Sequence, residues 1–235
     1  MKSIGLIGGM SWESTALYYQ IINREVARRL GGLHSARLHL QSLDFQQVVA
    51  RQQSGAWAEL SGMLASAGQA LQHSGADCVL IGTNTMHRVA PEVQAQLQVP
   101  LLHIADATAA AIKAAGCRRV ALLGTRYTME QPFYTEHLAR HGIACLVPEE
   151  AERAEVHRII FDELCQGHCL ESSRQTLKAI IAGLAAQGAE GAILGCTELP
   201  LLLQAADVAL PLFDTTRLHA LAAVDFALGD YPQAA

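Results

Sequence analysis

The segment Gly75-Ala76-Asp77-Cys78-Val79-Leu80-Ile81-Gly82-Thr83-Asn84-Thr85 returns 113 residues later as Gly188-Ala189-Glu190-Gly191-Ala192-Ile193-Leu194-Gly195-Cys196-Thr197-Glu198. In each copy an apolar run of strand length enters a glycine and then short polar residues. Two further pairs keep the same order. Ile4-Gly5-Leu6-Ile7-Gly8-Gly9 is matched by Val120-Ala121-Leu122-Leu123-Gly124-Thr125 at an offset of 116, and Val99-Pro100-Leu101-Leu102 by Leu210-Pro211-Leu212-Phe213 at 111. Identities are few, but three strand ends recurring in one order at nearly one spacing mark a duplicated chain.

The strands are short, continuously apolar and separated by helical patterns, which is how a parallel sheet covered on both faces reads. The expected fold class is therefore α/β, with two pseudo-symmetric domains, each a parallel sheet flanked by helices. Residues 1–103 plus a C-terminal helix at about 216–235 form the expected first domain, and residues 104–215 the second. The expected helices run from about Ser14 to Leu30, Gln52 to Ser74, Ala105 to Ala115, Pro132 to His141, Ala151 to Cys165, Ser172 to Gln187 and Thr215 to Leu228. Ligands in such folds bind beyond the carboxyl ends of the strands. Those ends carry Gly8-Gly9-Met10, Thr83-Asn84-Thr85, Gly124-Thr125 and Cys196-Thr197-Glu198.

Composition narrows the function. Apolar residues make up 51% of the 235 and aromatics only 5%, so Ala, Leu, Val and Ile must fill the core. The net charge of −5, with no basic run, carries no nucleic-acid footprint. No apolar stretch approaches a membrane span, and Ile4 to Met10 runs into Ser11-Trp12-Glu13 without a signal-peptide cleavage pattern. Cys78, Cys117, Cys145, Cys165, Cys169 and Cys196 show no disulfide-framework spacing, so a reducing, cytoplasmic location is expected. Of the lysines, Lys2 precedes the first strand, and Lys113 and Lys178 lie in helical stretches. None is placed to hold pyridoxal phosphate, so no cofactor is expected.

Cys196 stands at a strand-to-helix turn among polar neighbours. Backbone N–H groups at a helix start favour an anion, and the expectation is a thiol pKa lowered toward neutrality. Thr83 is its counterpart in the first copy; its hydroxyl is too weak an acid to serve as a free base, but it can donate a hydrogen bond, hold a water or cap the next helix. Asn84, Thr85, Thr125 and Thr197 are short donors suited to a carboxylate. Glu198 is read either as the partner of an ammonium group or of the thiol, or as a first-turn acid facing the helix dipole. Gly5-x-x-Gly8-Gly9 is neither a dinucleotide fingerprint nor a phosphate loop, and suggests a tight turn. Cys165-x-x-His168-Cys169 is half a metal site with no second half, so no metal is expected. His87, His103 and His219 read as satisfied structural histidines, and Trp12 and Trp57 as core, pocket rim or subunit contact.

At Ile4-Gly5-Leu6-Ile7-Gly8-Gly9-Met10-Ser11-Trp12-Glu13-Ser14-Thr15, Thr83-Asn84-Thr85-Met86-His87, Leu123-Gly124-Thr125-Arg126-Tyr127-Thr128-Met129 and Gly195-Cys196-Thr197-Glu198 the chain resembles the aspartate/glutamate racemase family. It is most similar to the enterobacterial cofactor-independent amino-acid racemase branch. The resemblance spans essentially the whole chain. It implies two pseudo-symmetric α/β domains with the active site in the cleft between them, no cofactor, and commonly a homodimer. It implies two cysteines flanking the substrate α-carbon, one removing the α-proton and the other returning a proton on the opposite face. Cys196 matches the second-domain cysteine; Thr83 departs from the pattern. The resemblance also implies that Met10, Gln52, Asn84, Thr85, Thr125, Thr197 and Glu198 contact an amino-acid substrate. With a single thiol, one enantiomer, by analogy the L form, is expected to exchange its α-hydrogen quickly while racemisation is slower and asymmetric.

Two other readings are open to sequence. Hydantoin racemases, maleate isomerases and arylmalonate decarboxylases share the two-domain plan, and some use one cysteine. A catalytically weak amino-acid-binding protein would keep the cleft while Thr83 marks lost activity.

Overall fold

The computed structural model describes residues 1–229, so the last six positions of the expected C-terminal helix, 230–235, lie outside the described residues. The chain forms two compact units. One comprises Met1–Ile104 with the segment that begins at Thr216, and the other is Ala105–Thr215.

In the first unit the chain passes through β1 (Ile4–Gly8), α1 (Trp12–Leu30), β2 (Leu38–Ser42), α2 (Phe45–Gln53), α3 (Trp57–His73), β3 (Cys78–Ile81), α4 (Ala90–Gln94) and β4 (Leu101–Leu102). The four strands make one parallel sheet in the order β2-β1-β3-β4. The continuous apolar run of β3 has a direct cause. Cys78 and Leu80 face one core with Ile4, Leu6, Tyr18 and Ile22, whereas Val79 and Ile81 face a second with Ile7, Leu60, Leu64 and Met86. A strand with a core on each face has no position left for a polar side chain. Each Leu or Ile so buried contributes about 1.5–3 kcal/mol relative to exposure.

The second unit contains α5 (Ile104–Ala114), β5 (Arg119–Gly124), α6 (Arg126–Glu130), α7 (Pro132–Arg140), β6 (Ala144–Leu146), α8 (Glu150–Arg158), α9 (Glu171–Ala186), β7 (Ala192–Gly195), α10 (Leu199–Leu202) and β8 (Leu212–Asp214). Its parallel sheet has the order β6-β5-β7-β8, the same winding as the first. Ala121, Leu123, Ala192 and Leu194 pack with Val156, Leu177, Ile181 and Leu199, and Val120, Leu122 and Ile193 are fully buried as well. The chain then returns to the first unit as α11 (Thr215–Leu228), whose Ala220, Ala223, Val224 and Ala227 complete the core shared with Ile4, Leu6 and Tyr18. Among the described residues no helix is long and apolar enough to cross a membrane.

Two expected helices are corrected. The span Gln52 to Ser74 is not one helix: α2 ends at Gln53 and α3 starts at Trp57, because Gly55 takes a φ of +73° that no helix accommodates. The span Ala151 to Cys165 is regular only to Arg158. A π-helical turn covers Ile159–Glu163 and a 3-10 turn Leu164–Gln166. Within this segment Glu163 accepts from Ser173 Oγ and pairs with Arg158 at 2.8 Å, two partners that hold a buried carboxylate in place.

Buried thiols set an alkaline limit on this fold. Burial pushes Cys78 and Cys145 up to about 12 from an ordinary 9.0, and drives the Tyr134 hydroxyl upward too. These acids are kept protonated in the folded chain, so their contribution is fully present below pH 9.0 and is lost as pH climbs toward about 12. The urea midpoint is therefore expected to fall steadily above about pH 9, and a midpoint flat to about pH 11 would contradict this burial.

Candidate active site

In each unit the two central strands end side by side in glycine. Gly82 donates its N–H to the Ile7 carbonyl at 2.9 Å in the first unit, and Gly124 lies opposite Gly195 in the second. Glycine is required at the second pair: a Cβ on Gly195 would sit 2.8 Å from the Leu123 carbonyl oxygen, and one on Gly124 2.9 Å from that of Gly195. Close backbone approach at the strand ends brings the following residues of both strands onto one edge of the sheet.

On the first-unit edge, Met10 follows β1 and Thr83-Asn84-Thr85 follow β3. Met10, Asn84 and Thr85 are all buried. Met10 packs into the core cluster with Val48 and Met86, so most of its side chain serves the interior. Gln52 is also buried, near the end of α2 rather than at a strand end. Thr83 is only half-buried. Its carbonyl accepts from His87 Nδ1 at 2.8 Å, and His87 Nε2 accepts the Ile104 N–H at 3.1 Å. The two bonds fix a neutral imidazole carrying its hydrogen on Nδ1. His219 holds the other tautomer: Nε2–H donates to the Leu102 carbonyl at 2.8 Å while Nδ1 accepts from Tyr18 Oη at 2.9 Å. His87 therefore shapes the turn that carries Thr83, and His219 braces β4. Trp57 stacks under the Arg88 guanidinium at 3.9 Å, whereas Trp12 is exposed.

On the second-unit edge, Thr125 caps α6, its Oγ1 accepting the Thr128 N–H at 3.4 Å. Cys196, Thr197 and Glu198 follow β7, and all three are buried. Glu198 joins them: Cys196 Sγ donates to its Oε2 at 2.9 Å, and Thr197 Oγ1 donates to the same oxygen at 2.7 Å. Of the roles open to Glu198, this geometry makes it the thiol's partner. Cys165, in the 3-10 turn, packs against the core cluster that includes Cys196.

The expected lowering of the Cys196 pKa is overturned. Burial pushes this thiol well above its ordinary 9.0, and the adjacent Glu198 carboxylate pushes it further. The Glu198 N–H works the other way but does not prevail. The helix beyond, α10, spans four residues and starts only at Leu199, so its dipole is small. A thiolate here would place a second negative charge beside the first. The arrangement suits a thiol that surrenders its proton to Glu198 in the same event in which it takes one from elsewhere, so the pair passes from one negative charge to none and never carries two. Glu198→Gln is accordingly expected to lower the Cys196 pKa toward 9.0 without reaching it, because burial remains. Thiolate absorbance against pH, less the curve of Cys196→Ser, measures this; an unchanged or raised midpoint would contradict the role given to the carboxylate.

The profile of the Asp/Glu/Hydantoin racemase family matches residues 7–223. Among solved structures, a Yersinia pestis protein classed provisionally as an Asp/Glu racemase is 50% identical, with a TM-score of 0.92 over 97% of this chain and 100% of that one. An aspartate racemase homologue from Pyrococcus horikoshii is 36% identical, with a TM-score of 0.85 over the same shares. The broad specificity amino-acid racemase RacX of Bacillus subtilis is 27% identical over 148 residues, 62% of this chain and 63% of that protein.

Proposed function

Since the chain belongs to the Asp/Glu/Hydantoin racemase family, and with it to the isomerases, we propose that it racemises aspartate- or glutamate-type amino acids without pyridoxal phosphate. The observation that supports this most directly is the buried Cys196–Glu198 hydrogen bond at the end of β7.

In the proposed reaction Cys196 Sγ takes the α-proton of the L enantiomer as its own proton passes to Glu198. The α C–H bond breaks and its electron pair stays on the α-carbon. A new C–H bond then forms on the opposite face. The position that supplies this proton in a two-cysteine enzyme is Thr83 here, and a threonine hydroxyl is a far weaker acid than a thiol. The second proton comes from the Thr83 hydroxyl or from a water held by it, more slowly than the first is removed. Asn84, Thr85, Thr125 and Thr197 bind the substrate carboxylates through hydroxyl, amide and backbone N–H donors, and Met10 and Gln52 bound the pocket. Exchange without inversion is then the faster outcome, and conversion favours one starting enantiomer.

Proton NMR of the four substrates L-Glu, D-Glu, L-Asp and D-Asp in deuterated water, with no added cofactor, tests the reading. Fast loss of the α-proton signal from an L form with slow appearance of the D form supports it. Equal conversion from both enantiomers contradicts the one-thiol mechanism, and no exchange from any of the four contradicts the substrate class.

A further inference from the structure

His137 and His141 lie four residues apart, on α7 and at its C-cap, so both rings project from one face of the helix. Their Nε2 atoms close on one oxygen. Asp106 Oδ1, in the first turn of α5, is 2.6 Å from His137 Nε2 and 2.9 Å from His141 Nε2. The ring centroids stand 5.6 Å apart with their planes tilted by 36°. The His137, His141 and Asp106 side chains are 18%, 33% and 42% exposed, so the point on which they converge is open to solvent on one side. None of the three belongs to the strand-end residues, and the reaction proposed above uses none of them.

We propose that Asp106, His137 and His141 form a binding site for a divalent transition-metal ion of zinc-like character. Two imidazole nitrogens and one carboxylate oxygen are a donor set for zinc, cobalt or nickel. Magnesium and calcium call for oxygen-only surroundings and are excluded by the same donors. Without metal, the carboxylate accepts a hydrogen from each Nε2. With metal, those Nε2 positions are bare and coordinate through their lone pairs, each ring keeps its hydrogen on Nδ1, and Asp106 becomes the third ligand. An ion held there ties α5 to α7, so it stabilises the folded chain by mass action. Because a protonated imidazole cannot coordinate, affinity falls as the solution is acidified.

The test uses the full chain, zinc chloride in calorimetry and thermal unfolding, and cobalt(II) in absorption. The exposed Cys169 and the half-exposed Cys145 and Cys165 can also take zinc, so thiols must be separated from the site. The expected result is one equivalent bound, a raised Tm, and a cobalt spectrum without sulfur-to-metal charge transfer. His137→Ala and His141→Ala should each weaken binding by at least about tenfold, since even outer-shell losses at metal sites cost this much. Far-UV circular dichroism, with His137→Gln as a second variant that keeps a polar group near Asp106, checks that the loss is not unfolding. The proposal is overturned if submillimolar zinc neither binds nor raises Tm, if binding survives both histidine variants, if Cys169→Ser removes it, or if magnesium binds as well. α-Proton exchange in the histidine variants is a separate readout, so failure here and failure of the racemase reading are distinguishable.

Discussion

Cys196→Ala is expected to lower α-proton exchange by about 1,000-fold or more, because the loss of a positioned proton-transfer group alone costs about 100- to 10,000-fold and, among the described residues, no other thiol follows the carboxyl end of a strand. The effect should fall on turnover and leave substrate binding near its starting value, since sulfur contributes to the step in which the α C–H bond breaks and little to holding the carboxylates. The fold should survive. Cys196 belongs to a cluster dominated by Leu, Ile and Ala side chains, and replacing its CH2SH by a methyl group removes one heavy atom from an interior that many others define. Cys196→Ser is the sharper control. It keeps a donor within reach of Glu198 Oε2 but presents a hydroxyl that is a far weaker acid, so the hydrogen bond remains while exchange is lost. The measurement is the rate of α-proton loss by NMR for both variants beside the parent chain. Exchange that persists in Cys196→Ala within about tenfold of the parent would remove the thiol from the mechanism.

Gly9→Ala is expected to be the most damaging single-methyl substitution for the fold. Gly9 takes a φ of +85°, where an L side chain costs about 1–2 kcal/mol. A Cβ at this position would also collide with the backbone of Leu43, its carbonyl oxygen first. That oxygen belongs to main chain held by the Leu43 N–H bond to the Gly8 carbonyl at 3.0 Å, so it cannot swing aside as a flexible side chain would. Overpacking of this kind adds about 1–3 kcal/mol. Together the two costs reach a large share of the 5–15 kcal/mol that typically holds a domain folded. Gly9 also donates its N–H to Thr15 Oγ1 at 2.8 Å, so a shift here disturbs the start of α1. Urea or thermal unfolding reads the result directly. A Tm within about 2 °C of the parent would show that the turn yields more readily than its contacts indicate.

What the amino-acid order revealed, and what it hid, follows from how each element is buried. β1, β3, β5 and β7 were legible because each lies in the middle of a sheet with apolar cover on both faces, which forces an unbroken apolar run. β2 was not. It is an edge strand, half-buried at Leu38 and His39 and exposed from Leu40 to Ser42, and its mixed composition does not separate it from a loop. β6 is three residues long and gives too little pattern to count. Gly55 inside the span read as one helix was a signal that could have been used, since a glycine beside Ser54 is a common place for a helix to end. Cys196 and Thr83 were placed at strand ends by the glycine-then-polar pattern. The rise in the thiol's pKa was not legible, because it depends first on how deeply Cys196 is buried and then on which way Glu198 turns, and the same three residues allow the carboxylate to face solvent or sulfur. The His137-x-x-x-His141 pair was in plain sight, but its third member, Asp106, is about thirty positions away and is brought in only by helix packing.

The return of the chain to its starting unit has a consequence for the ribosome. Ile4, Leu6, Tyr18 and Ile22 are made about two hundred residues before Ala220, Ala223, Val224 and Ala227, which form part of what covers them. A nascent chain that has finished β4 must therefore wait through the whole of the intervening unit with one flank of its first sheet uncovered. At about 5–20 residues per second that wait lasts several seconds or more. The intervening unit, by contrast, has all of its strands in one continuous stretch and can mature while the earlier one stays open. Chaperone demand in the cell should thus be set by the amino-terminal sheet, and truncation just before α11 should leave a chain that is made in full but captured or degraded.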